Sequence, residues 1–79
     1  MITENELKSI IAEGLNLNPK ELPDTIDTNH ITAWDSLGHL RLILTIEEKI
    51  GKRFDMEVIP TLTSLEAIQK EINGHSEEG

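Results

Sequence analysis

Apolar residues fall at helical spacing in three stretches of this chain, separated by polar, turn-forming sequence. In the first, Leu7, Ile10, Ile11 and Leu15 recur on one face of a 3.6-residue period. Thr3 stands three residues before Glu6, the spacing of a capping box, and Ile2 and Leu7 are placed for the hydrophobic staple that accompanies it. The pattern predicts a helix over about 4–15, stopping near Gly14 and Asn16. Residues 16–34 then read as loop, because Asn18-Pro19, Pro23-Asp24 and Asp27-Thr28-Asn29 are turn formers. A connection this long is either functional or pinned by its own side chains. Leu17, Leu22, Ile26, Ile31 and Trp34 are the candidate pins, with room for a short helical turn at 19–22.

The second helix is predicted over about 36–50, with Gly51 as its stop. Leu42, Ile43, Ile46 and Ile50 share one face, taken as the core face. Leu37, Leu40 and Leu44 form an adjacent strip on the side of Ser36, bordered by Arg41, Glu47 and Glu48. The apolar arc is wider than burial on one side requires. The strip either packs on another helix of the domain or is a docking surface rimmed by charge. From the pattern alone, packing within the domain is the simpler reading. Gly51–Met56 is a charged turn anchored by Phe54, and 57–61 allows a turn of helix limited by Pro60. Thr63 and Glu66 are spaced as a second capping box. Leu65, Ile68 and Ile72 follow at helical spacing, so the last helix is predicted over about 64–73, stopped by Asn73-Gly74, with 74–79 a frayed tail. No stretch alternates with a period of two. The expected fold is all-α: one domain over 1–79, a small bundle of three main helices plus one short helix, with a long loop between the first and second.

Composition narrows the function. A chain of 79 residues has a thin core. It has no Cys, hence no disulfide or thiolate metal site, and His30, His39 and His75 lack the paired spacing of metal ligands. The net charge of −8 repels phosphate and argues against nucleic acid as a partner. It suits encounters with basic protein surfaces, or simply solubility. No apolar run reaches the ~20 residues of a membrane span. The acidic, amphipathic start differs from a signal or transit peptide. A cytoplasmic monomer is expected.

The chemistry concentrates at Trp34-Asp35-Ser36-Leu37, where the long loop meets the second helix. Self-contained catalysis fails on inventory. A serine nucleophile needs a base and an oxyanion hole, and the chain has no Gly-x-Ser-x-Gly elbow. His39 follows Ser36 by three residues, but its helical position turns it toward the core face, as a semi-buried packing residue. Asp35 suffices as N-cap, which leaves the Ser36 hydroxyl free at a helix start that tolerates an anion.

Asp35-Ser36-Leu37, opening an amphipathic helix that ends Ile46-Glu47-Glu48-Lys49-Ile50-Gly51, resembles an acyl carrier protein over nearly the whole chain. The resemblance implies that Ser36 carries 4′-phosphopantetheine, installed from coenzyme A by a phosphopantetheinyl transferase. It places Asp35 in that modification reaction, near the transferase's magnesium. Acyl or related groups would ride on the arm as thioesters, loaded by an acyl- or aminoacyl-ligase and passed to a synthase or transferase. Leu37, Leu40, Arg41, Leu44, Glu47 and Glu48 match the helix that carriers turn to partner enzymes, and Met56 and Val58 flank it. The resemblance therefore favours docking for the leucine strip. Fatty-acid carriers concentrate acid on that helix. Here residues 35–57 hold five acids against four bases, and Gly38 and Arg41 stand where acids are common. That departure, with Trp34, implies a specialised stand-alone carrier whose partner offers an acidic group to Arg41. The competing reading is a carrier-like interaction module that is never modified.

Overall fold

The computed structural model describes residues 2–78, with side chains through Gly74. Its elements in order are α1 (Glu4–Gly14), a 3₁₀ turn (Pro19–Glu21), α2 (Ser36–Ile50), a second 3₁₀ turn (Ile59–Thr61) and α3 (Leu65–Glu78). No strand forms among the described residues; Asp27 and Ser64 make one isolated antiparallel bridge. The chain is thus all-helical, with the long loop between α1 and α2.

The N-terminus of α1 forms as its sequence requires. Thr3 accepts from the Glu6 N–H at 3.2 Å, and the Glu6 carboxylate accepts from the Thr3 N–H at 3.0 Å. Ile2 and Leu7 are both buried. Leu7, Ile11 and Leu15 of the first segment meet Leu42, Ile43 and Ile46 of α2 and Leu65, Ile68 and Ile72 of α3 in one apolar cluster. Gly14 lets α1 and α2 approach closely: a Cβ there would lie 2.9 Å from the Leu42 Cα.

The loop is pinned as expected. Ile26, Ile31 and Trp34 are buried, and Leu17 and Leu22 pack partly against the core. Backbone bonds also tie it to the entry of α3. The Thr28 N–H donates to the Thr63 carbonyl at 3.0 Å, and the Leu65 N–H to the Ile26 carbonyl at 2.9 Å. These bonds draw the chain on to Ser64, whose Oγ accepts from the Ala67 N–H at 3.1 Å. Ser64, not Thr63, therefore caps α3, and the Thr63–Glu66 box does not form because Thr63 is committed to the loop.

The end of α3 differs from the sequence expectation as well. The helix passes through Asn73 and Gly74 to Glu78, so 74–78 is helix and not a frayed tail; Gly79 lies outside the described residues. Asn73 is held in place by a tertiary contact. It accepts from the Ile2 N–H at 2.9 Å, and its Nδ2 donates to the Ile2 carbonyl at 3.4 Å. A glycine inside a helix costs only about 1 kcal/mol relative to alanine, too little to end a docked helix. Among the described residues, no helix is long and apolar enough to cross a membrane.

Candidate functional site

Asp35 is the N-cap of α2. Its backbone is extended at φ −95°, and its Oδ1 accepts from the Gly38 N–H at 2.8 Å. Its carbonyl accepts the His39 N–H at 2.7 Å. The capping duty therefore falls on Asp35, while Ser36, the first helical residue, is exposed. The Ser36 hydroxyl makes no hydrogen bond to any described residue. The N–H groups of Ser36 and Leu37 have no intrahelical acceptor, as befits a first turn. An exposed hydroxyl and free donors at the positive end of a helix dipole form a local setting suited to a phosphate ester.

Two contacts that the linear pattern did not disclose fix this corner. The first is at Gly38. A Cβ there would fall against the Ala33 carbonyl oxygen, closer than the 3.0 Å that side chains respect, and 3.2 Å from Asp35 Oδ1. The loop backbone thus lies directly on the first turn of α2, and only a residue without a side chain admits it. The second is a clasp through His39. The Trp34 Nε1–H donates to His39 Nδ1 at 2.9 Å, and His39 Nε2 lies 2.8 Å from the Ile59 carbonyl. Trp34 can only donate and a carbonyl can only accept, so the imidazole is neutral with its proton on Nε2. The two rings stack with centroids 6.2 Å apart. His39 is half-buried, as expected, but it joins the loop, α2 and the second 3₁₀ turn. Both of its nitrogens are committed, so it has no acceptor left for the Ser36 proton.

Beside Ser36 an open, mostly apolar groove of about 580 Å³ runs between Trp34, His39 and Leu40 and the Ile59-Pro60 turn. On the flank of α2, Leu37, Leu40 and Leu44 are 61%, 57% and 66% exposed, and Met56 beyond the helix is 86% exposed. The strip therefore does not pack within the domain. Leu42, Ile43 and Ile46 fill the core instead. Arg41 and Glu48 are exposed at the border of the strip. Glu47 is differently placed: half-buried, its Oε2 accepts from the Phe54 N–H at 2.8 Å and braces the turn after α2. Val58 is partly buried against the core. Ser36, the strip and the groove thus meet on one side of α2, with Met56 separate in sequence and Val58 packed in part against the core.

Away from this face, the Asp27 carboxyl is held below its ordinary range. The main cause is its 2.7 Å bond with the His30 ring, and the His30 and Asn29 N–H groups add to it. Glu6 is lowered by its capping bonds with Thr3. Among the described residues, no cluster of three or more His, Asp or Glu side chains is arranged to hold a metal ion. No protein-family model matches the chain.

Proposed function

We propose that this protein is an acyl carrier, bearing 4′-phosphopantetheine on Ser36 and presenting acyl or related cargo to partner enzymes. The observation that supports this best is the pairing of an exposed, uncommitted serine hydroxyl at the head of α2 with an exposed leucine strip along the same helix. The residues present fit the group. Asp35 takes the capping role and so leaves the Ser36 oxygen open to a transferase. The groove beside it offers apolar walls along which a tethered arm can lie. When attached, the arm supplies a thiol on which cargo is held as a thioester. The chain's own part is to present that attachment point, exclude nothing around it, and offer Leu37, Leu40 and Leu44 to visiting enzymes. Docking of this kind must be brief, which suits a small surface. The expected partners are a phosphopantetheinyl transferase, a loading ligase and a downstream synthase or transferase. A cytoplasmic, monomeric protein suits that role.

The commitment of both His39 nitrogens argues against the alternative of a serine hydrolase. The decisive experiment is incubation with coenzyme A, magnesium and a promiscuous transferase, followed by intact-mass analysis. One phosphopantetheine addition is expected, abolished in Ser36→Ala. No addition, or an addition that survives that substitution, would refute the carrier reading. The exposed strip would then favour an interaction module that is never modified.

A further inference from the structure

We infer that Trp34, His39 and the Ile59 carbonyl form a proton-operated latch, which acid opens on its loop side and so widens the groove beside Ser36. His39 is half-buried at the start of α2, with a hydrogen bond at each ring nitrogen. Nδ1 accepts from the Trp34 indole N–H at 2.9 Å, and Nε2 donates to the Ile59 carbonyl at 2.8 Å. A protonated imidazole carries a hydrogen on both nitrogens and accepts at neither. Its Nδ1–H would then meet the indole N–H, donor against donor, while the Nε2–H bond to Ile59 survives. A second ring proton therefore breaks the loop side of the latch and keeps the side of the 3₁₀ turn. The indole that loses its acceptor is 3% exposed, so water cannot replace the bond unless the loop moves. The part of the loop that must lift is the part laid on α2, where the Ala33 backbone lies against Gly38. Of the described residues lining the groove with His39, Asp35 is the ionisable one. Thr28 and Trp34 from the loop, Ile59 and Pro60 from the 3₁₀ turn and Thr63 before α3 carry no charge. Asp35 stands four positions before His39, so the charge it brings to the groove is negative and does not oppose the incoming proton. The pair at the other end of the loop responds differently. His30 Nδ1 lies 2.7 Å from the Asp27 carboxylate, an acceptor that a protonated ring keeps. Acid thus holds the loop at Asp27 and frees it at Trp34.

The latch rests on these contacts and not on attachment at Ser36, which the intact-mass assay decides separately. The test follows isotope-labelled protein by nuclear magnetic resonance between about pH 7.5 and about pH 5.5, a span that covers the ordinary imidazole range. At the upper pH the His39 ring should carry its proton on Nε2. As the ring gains its second proton, the Trp34 Nε1–H resonance should move with the same midpoint. The amide resonances of 31–34 should move with it, while those of Ile59 and Thr61 hold. Exchange protection of the indole hydrogen should fall about five-fold, the equivalent of one hydrogen bond of about 1 kcal/mol. His39→Gln keeps a planar donor and acceptor but cannot titrate, and should abolish the response. His30→Gln, at an exposed position, should leave it in place. An indole resonance unmoved over the range, or a midpoint different from that of the His39 ring, would overturn the inference. So would a response that survives His39→Gln or is lost in His30→Gln. The midpoints are read on the unaltered protein, so they decide the matter even if a variant fails to fold.

Discussion

Replacing Gly38 with alanine should destabilise the protein, against the usual rule for a glycine inside a helix. On an open helical face, Gly→Ala gains about 1 kcal/mol of helix propensity. At position 38 the added methyl meets the Ala33 carbonyl oxygen and crowds Asp35 Oδ1, 3.2 Å away. Either the loop must lift from α2 or the first turn must unwind. Overpacking of this kind costs about 1–3 kcal/mol. Displacing Trp34 from His39 forfeits one more hydrogen bond, worth about 1 kcal/mol. After the propensity gain, the net loss is about 1–3 kcal/mol. For a domain of this size each kcal/mol lowers Tm by about 4–8 °C. Trp34 is the single tryptophan and is 3% exposed, so its emission reports the loop directly. The assay is thermal unfolding followed by circular dichroism and by Trp34 fluorescence. Gly74→Ala is the internal control: Gly74 also lies within a helix, and nothing stands within 4 Å of an added Cβ there. That variant should gain up to about 1 kcal/mol. If Gly38→Ala instead matched the control, with Trp34 emission unmoved, the proposed contact between loop and helix would be wrong.

Other substitutions probe the remaining contacts. Leu44→Asp should leave stability within about 0.5 kcal/mol, because the side chain is already exposed, yet slow modification of Ser36 by the transferase in the intact-mass assay. Ile46→Ala, on the buried face of the same helix, should cost about 2–5 kcal/mol in urea unfolding. Trp34→Phe keeps an aromatic ring but removes the donor to His39 Nδ1, and denaturant melts should register a loss of about 1–2 kcal/mol. Asp27 and Glu6 both titrate below their ordinary range in the folded chain. As pH falls through about 4 the unfolded chain takes up these protons first, so the stability they contribute is present above that pH and is lost below it. Urea midpoints at pH 7, 4 and 3 should decline in that order, less steeply in Asp27→Asn.

Much of the architecture is legible in the linear pattern because it rests on local physics. Thr3 and Glu6 lie within one turn, and the spacing of Leu42, Ile43 and Ile46 follows from 100° per residue whatever surrounds the helix. Asp35 capping α2, with Ser36 left over, is likewise a matter of adjacent residues. The polar stretch 16–34 announces a loop, and its apolar residues announce their own burial. What neighbours in sequence cannot specify is which distant backbone comes to rest where. Thr63 and Ser64 are both competent caps, and only the pairing of Thr63 with Thr28 selected Ser64. Asn73-Gly74 has the chemistry of a helix stop, and only the contact with Ile2 carried the helix through. The leucine strip was compatible with an inner or an outer place. Its exposure was decided by how α1 and the shared core cluster took up the other face of α2. Gly38 and His39 drew meaning from Ala33 lying overhead and from the Ile59 carbonyl 20 residues further on. Short-range spacing thus determined which residues form helices and which serine stands at a helix head. Long-range packing decided which faces remain in water, because a pattern of apolar positions states what must be covered without stating by what.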